Sequence, residues 1–189
     1  NFQQEIFELY HDLITFGTAA MFIEEDEEDF IKFSTRHIDE VYIAENDKGR
    51  IDTIYRRFNL SARAVVQKFG TAVSQDILVL EKKDPYKEVE IVHAVYPRAD
   101  FNPTKKDKKN MPFESVYMEY KNGNELSVSG FKEFPFVVPR YLKASHEIYG
   151  RSPAMTALPD VKMLNEMVKT TIKAAQKQVD PPLLVPDDG

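Results

Sequence analysis

The stretch that most constrains this chain lies near its C-terminal end. From Asp160 to Val179 there is neither glycine nor proline, and Asp180-Pro181-Pro182 then stops the run. At 1.5 Å per residue the stretch predicts a helix of about 30 Å, with Pro159 as a first-turn proline and Ser152-Pro153 opening a short turn before it. Projected at 100° per residue from Val168, the residues Val161, Leu164, Ile172, Ala175 and Val179 fall within about 40°, while Lys162, Lys169, Lys173 and Lys177 fall at about 100° to 180°. A seam that narrow suits a helix packed on another helix, including a copy of itself in a ring, better than one laid on a broad sheet.

The preceding residues read as short elements of both kinds, which predicts an α+β fold built from antiparallel hairpins with several helices. Apolar residues from Phe2 to Phe16 keep a helical rhythm, and Gly17 ends it. Thr18 to Ile23 and Phe30 to Phe33 read as a hairpin around an acidic turn. Val41 to Ile43 and Ile51 to Phe58 flank Asn46-Asp47-Lys48-Gly49, a second hairpin whose glycine can take positive φ. Ser61 caps a helix to Phe69, Asp76 to Lys83 forms another, and Val89 to Tyr96 is a strand. Pro97 to Pro112 reads as a polar loop, disordered by composition around its lysines Lys105 to Lys109. Phe113 to Tyr120 and Glu125 to Ser129 turn at Asn122-Gly123-Asn124, a third hairpin. The prolines of Phe134 to Pro139 confine that segment to a sheet edge or extended chain.

Charge narrows the function. The chain has 31 acidic and 25 basic side chains, and Glu24, Glu25, Asp26, Glu27, Glu28 and Asp29 stand in one run; without it, acids and bases balance. A uniformly basic, phosphate-gripping surface is therefore excluded. The longest apolar stretches are far below the roughly 20 residues that span a bilayer, so no membrane partner is expected. Hydrophobic residues make up 42%, with 13 Phe and 9 Tyr, ample for a core. With no cysteine there is no disulfide, no thiolate nucleophile and no Cys-ligated zinc. The ends, Asn1 and Asp187-Asp188-Gly189, read as cuts in a longer polypeptide.

No catalytic set or cofactor motif emerges, and no cofactor is expected. His11, His37, His93 and His146 show no metal-ligand spacing. Gly150-Arg151-Ser152-Pro153-Ala154 lacks the second glycine of a nucleophile elbow, and Ser152 serves better as a helix cap. Ser145-His146-Glu147 are sequence neighbours, unlike triad members drawn from separate loops. No phosphate-binding GxxxxGK[ST] occurs. The acidic run is a poor calcium loop, because consecutive acids in extended chain point to opposite sides. It reads as a solvated hairpin tip or as a contact for a basic neighbour.

The segments Tyr149-Gly150-Arg151-Ser152-Pro153-Ala154-Met155-Thr156-Ala157-Leu158-Pro159-Asp160, Ala174-Ala175-Gln176-Lys177 and Asp180-Pro181-Pro182-Leu183-Leu184-Val185-Pro186 resemble the head-to-tail connector, or portal, proteins of short-tailed bacteriophages and related prophages. Val41 to Asn46, Gly49 to Arg56, Gln67 to Gly70 and His93 to Arg98 agree with it in collinear order. The resemblance implies a non-enzymatic subunit of a twelve-fold ring at one capsid vertex, assembled in the host cytoplasm and carried in the virion. It implies as partners further copies of the chain, a terminase, scaffold or capsid protein, tail adaptor proteins, and double-stranded DNA held without sequence preference.

On that reading residues 1–150 are a wing, 151–179 a stem helix and 180–189 the start of a clip. Lys162, Lys169, Lys173 and Lys177 then become candidates for contact with DNA phosphates in the channel, against the plainer reading of a solvated helix flank partly neutralised by Glu166. Val161, Leu164, Val168, Ile172, Ala175 and Val179 become the helix-packing seam. The rival readings are a cytosolic α+β enzyme domain with an unrecognised active site and a protein-interaction module.

Overall fold

A computed structural model describes residues 1–26, 30–105 and 107–181. Its architecture is α+β: helix α1 (Phe2–Phe16), strands β1 (Ala20–Asp26) and β2 (Phe30–Arg36), β3 (Val41–Glu45) and β4 (Ile51–Ser61), helices α2 (Ala62–Phe69) and α3 (Gln75–Lys83), strands β5 (Glu88–Pro97), β6 (Phe113–Glu119), β7 (Glu125–Phe131) and β8 (Phe136–Val137), and helix α4 (Pro153–Val179). The strands form a three-stranded sheet, β2-β1-β8, and a five-stranded sheet, β3-β4-β5-β6-β7, antiparallel throughout.

Strand alternation decides how the layers stack. One face of β1 presents Ala20 and Phe22, which pack with Phe136, Val41, Ile43, Ile54 and Val95, so the small sheet lies on the large one. Its other face presents Met21 and Ile23, which with Phe33 receive Leu9, Ile6 and Leu13 of α1. The uncovered half of the large sheet's inner face is closed by α2 and α3, whose Val65 and Ile77 meet Phe58, Ile91 and Leu126. Ile54, Ile91 and Val95 are fully enclosed where these layers meet, and truncating such an isoleucine to alanine costs about 2–5 kcal/mol.

Free strand edges invite pairing with other chains, and here side chains occupy them. Asn1 donates from Nδ2 to the Phe33 carbonyl (2.7 Å) and accepts from the Phe33 N–H (3.2 Å), while Glu5 accepts from the Thr35 N–H (2.5 Å), all along β2. On β3 the Tyr149 hydroxyl accepts from the Ile43 N–H (3.2 Å) and donates to the Val41 carbonyl (3.3 Å). Beside β7 a short 3-10 turn at Lys108–Asn110 comes so close that a Cβ on Gly130 would stand 2.3 Å from the Lys108 carbonyl oxygen. That part of the lysine loop, disordered by composition, is thus laid against the sheet.

The chain departs from expectation at three further places. β1 continues through Glu24, Glu25 and Asp26, so half of the acidic run is strand rather than turn. The extension is stabilised by pairing, with Glu24 opposite Lys32, Glu25 opposite Ile31 and Asp26 opposite Phe30. Glu27, Glu28 and Asp29 lie outside the described residues. The polar Thr18 is not in that strand; it makes an isolated bridge to Arg140. Third, α4 begins at Pro153, six residues ahead of Pro159. Ser152 and Pro153 together form a complete N-terminus, and Pro159 sits inside the helix, where its ring forgoes one backbone hydrogen bond.

Candidate functional site

The part of the chain with the most unused binding capacity is α4. It spans 27 residues, about 40 Å of axis, and every residue from Ala154 to Pro181 is exposed. Its contact with the body is through α1. The apolar seam is therefore bare: Val161, Leu164, Val168 and Ile172 are each 48–59% exposed, Val179 is 87% exposed, and Ala175 is exposed beside them. Burying the remaining half of a Leu, Val or Ile side chain yields about 1 kcal/mol, so the four central seam residues hold about 4 kcal/mol available to a partner helix.

Two residues widen this surface beyond the sequence reading. Met163 and Met167 are 61% and 59% exposed, and on the same projection they stand about 140° and 100° from Val168, on the side opposite the lysines. The apolar arc thus covers about half the helix rather than a stripe, enough for two neighbours. Including methionine in the same projection reveals it from sequence.

On the same projection the lysines stand on the other flank of α4. Lys169 Nζ is 3.0 Å from Glu166 Oε1, an exposed i,i+3 pair that contributes a few tenths of a kcal/mol at most. Lys162, Lys173 and Lys177 form no ion pair among the described residues. Among the described residues, three cations thus stand unneutralised on this flank of the helix.

What aims α4 is its junction with α1. Ser152, 1% exposed, donates from Oγ to the Thr15 carbonyl (2.8 Å) and accepts from the Met155 N–H (2.9 Å), tying the helix start to the last turn of α1. The Gly150 N–H donates to Thr18 Oγ1 (2.7 Å), and the Tyr141 N–H to the Gly17 carbonyl (2.9 Å). Gly17 ends α1 in the left-handed region at φ 80°, and a Cβ there would lie 2.5 Å from the backbone of Gly150, Arg151 and Ser152. A Cβ on Gly150 would stand 2.2 Å from the Gly17 carbonyl oxygen. Two glycines are needed because two backbones touch.

A second clamp joins the segment before α4 to the β3–β4 hairpin. Arg140 and Lys143 both bind the Glu45 carboxylate, Lys143 at 2.6 Å, and Arg140 also donates to the Gly49 carbonyl (3.2 Å) and the Ile148 carbonyl (3.0 Å). The hydrogen bond from Lys143 and then that from Arg140 hold Glu45 below the usual carboxylate range. Farther along, the Arg151 guanidinium holds Glu147 below that range too, at 2.5 Å. Glu147 is thereby a structural ion-pair partner of Arg151, and Ser152 is spent as a cap.

Elsewhere polar groups serve the core. His93 lies 2% exposed, hydrogen-bonded through Nε2 to Ser115 Oγ (2.9 Å) and stacked on Tyr117 at 3.9 Å. Burial pushes its pKa down to about 3, with Lys68, Arg56 and Arg36 adding to the fall, so it is neutral. Glu119, also 2% exposed, accepts from the Ser74 N–H (2.9 Å) and from Asn124 Nδ2 (3.1 Å), linking the β6–β7 turn to the start of α3. Among the described residues no group of three or more His, Asp or Glu gathers as a metal site, and no helix is long and apolar enough to cross a membrane. A shallow depression on β3–β5, lined by Asp39, Tyr42, Arg57, Asn59 and Glu90, holds no nucleophile beside a base.

The chain is thus an α+β body from which one amphipathic helix stands exposed to solvent. Residues 1–188 match the family model described as bacteriophage head to tail connecting protein, and the chain belongs to that structural family. It is 35% identical over 191 residues to the portal protein of Salmonella phage epsilon15, and 32% identical over 190 residues to the probable portal protein of Bordetella phage BPP-1. Each match covers 98% of this chain and 34% of the relative, so the chain spans about a third of the relatives' length.

Proposed function

We propose that this chain supplies the wing, residues 1–150, and the first stem helix, within 151–179, of a phage portal subunit; of the start of a clip expected at 180–189, residues 182–189 lie outside the described residues. The subunit closes with its copies into a twelve-fold ring at one capsid vertex, the passage for double-stranded DNA during packaging and ejection. It carries no chemistry of its own: a terminase drives the DNA, scaffold or capsid protein seats the ring, and tail adaptors close it. Assembly takes place in the host cytoplasm, and the ring remains in the virion.

The observation that carries this reading is the bare seam of α4, Val161 through Val179, on a helix held at its base by two backbone-to-backbone contacts. A helix so exposed and so firmly aimed has its partner outside the chain. The lysine flank supports the DNA part, because contacts to a sliding duplex must be to phosphate and blind to sequence. Reversing Lys173 and Lys177 to glutamate in the full-length protein is expected to lower packaged DNA several-fold while rings still assemble. Unchanged packaging would leave the flank as a solvated surface. Lys169, already paired with Glu166, is expected to matter less when reversed alone.

A further inference from the structure

Between the small sheet and α2 lies a seam that the assembly reading leaves unused. Its floor is a run of rings: Phe22 is 5.7 Å from His93 edge to face, and His93 is stacked on Tyr117. Three cations stand around that floor. The Arg36 guanidinium, from β2, is 6.0 Å from the Phe22 ring centre; the Lys68 ammonium, from α2, is 4.5 Å from that of Tyr117; and Arg56, paired across the ladder with His93, lies 3.8 Å over Phe58.

Among the described residues, Arg56 alone of the three forms an ion pair, with Glu40 at 2.8 Å. The side chains of Arg36 and Lys68 make no hydrogen bond or ion pair with any described residue. Burial pulls both below their ordinary pKa values, and repulsion from Arg56 adds to it. The remaining charges facing the seam are Lys32, from β2, and Glu24, opposite it on β1, which attracts both Arg36 and Lys68. Among the described residues, four positive groups thus face two carboxylates. Cations converge in this way at a cost, since each lowers the tolerance of the others for charge, and a bound anion removes that cost.

We infer that the seam framed by Arg36, Arg56 and Lys68 over the Phe22–His93–Tyr117 floor is a binding site for one compact oxyanion, a carboxylate or a phosphate group. The ligand is compact because Glu24 stands two residues beyond Phe22 on the same face of β1, and a duplex laid there would bring further phosphates against that acid. Arg36 offers the planar fork that holds two oxygens, and Lys68 the point charge for a third. The floor is aromatic and uncharged, since His93 is neutral and hydrogen-bonded to Ser115.

The test is an amide NMR titration of the chain with inorganic phosphate, and separately with acetate, each balanced with chloride at constant ionic strength. Saturable shifts are expected at residues 34–36 and 64–69 and at the Arg36 side-chain Nε–H, and the tighter anion assigns the ligand. Removing one charge-assisted hydrogen bond weakens binding by about tenfold, so Arg36→Gln and Lys68→Gln should each do so, while Lys48→Gln, in the β3–β4 turn at the far end of that hairpin from Arg56, leaves it unchanged. Arg36→Lys, which keeps the charge but gives up the second prong of the fork, should weaken binding less than the glutamine variant does, and saturable binding retained in it, weaker than in wild type, decides the matter if the glutamine form melts early. Shifts that grow linearly, are equal in the variants, or are exceeded at the same amides by a short DNA duplex would overturn the assignment.

Discussion

Lowering the pH should unfold this protein through His93 well before its carboxylates titrate fully. In the folded chain the imidazole is buried, hydrogen-bonded to Ser115 and pushed down to about 3, against an ordinary value near 6.5 in the unfolded chain. The folded state therefore binds fewer protons, so stability is full above about pH 6.5 and is lost as pH falls toward 3. Each pH unit inside that window costs up to about 1.4 kcal/mol, giving a loss of about 2 kcal/mol between pH 7 and pH 5. Urea denaturation at those two pH values, on wild type and His93→Gln, isolates the effect, because glutamine keeps a polar partner for Ser115 and cannot titrate there. Wild type is expected to lose about 2 kcal/mol more than the variant. Curves that fall in parallel, within about 0.5 kcal/mol, would refute the buried neutral imidazole.

Two further substitutions probe the junction beneath α4. Gly150→Ala, whose Cβ would stand 2.2 Å from the Gly17 carbonyl oxygen, is expected to cost about 3 kcal/mol, lowering Tm by roughly 9 °C in a chain of this size. Gly123→Ala, at φ 65° in open space, is the control and should cost about 1 kcal/mol from backbone strain alone; equal losses in a thermal melt would disprove the close contact. Ser152→Ala removes the cap on Met155 and the tie to Thr15, and about 2 kcal/mol of stability is expected to go with them. A melt unchanged from wild type would show that the junction does not depend on this hydroxyl.

Local signals carried much of the fold. The αL glycine after Phe16, the Asn46-to-Gly49 turn with Gly49 at φ 70° and the Ser61 cap on α2 all follow from backbone chemistry within a few residues. Non-local facts were not legible. Nothing near Phe136 and Val137 says that they pair with Met21 and Phe22, yet that pairing makes the second sheet. The acidic run reads as a turn because charge outweighs β propensity locally, whereas the structure lends Glu24 a cross-strand lysine. Pro159 looks like a helix start only while the Ser152 tie to Thr15 is unknown. For the site, the seam and lysine flank of α4 were visible as periodicity, but the Gly17–Gly150 contact that aims the helix joins residues far apart in the chain.

The central claim is that the bare seam of α4 joins copies of the subunit. Because this chain has no cysteine, a cysteine introduced at Leu164 or Val168 reports contacts there without interference from the rest of it. The most direct measurement is mass photometry of the full-length portal polypeptide, wild type against Leu164→Glu/Val168→Glu. Closed rings of about twelve subunits are expected for wild type, and dispersed subunits for the variant, since two buried carboxylates far outweigh about 4 kcal/mol of apolar contact. Intact rings in the variant would contradict the account.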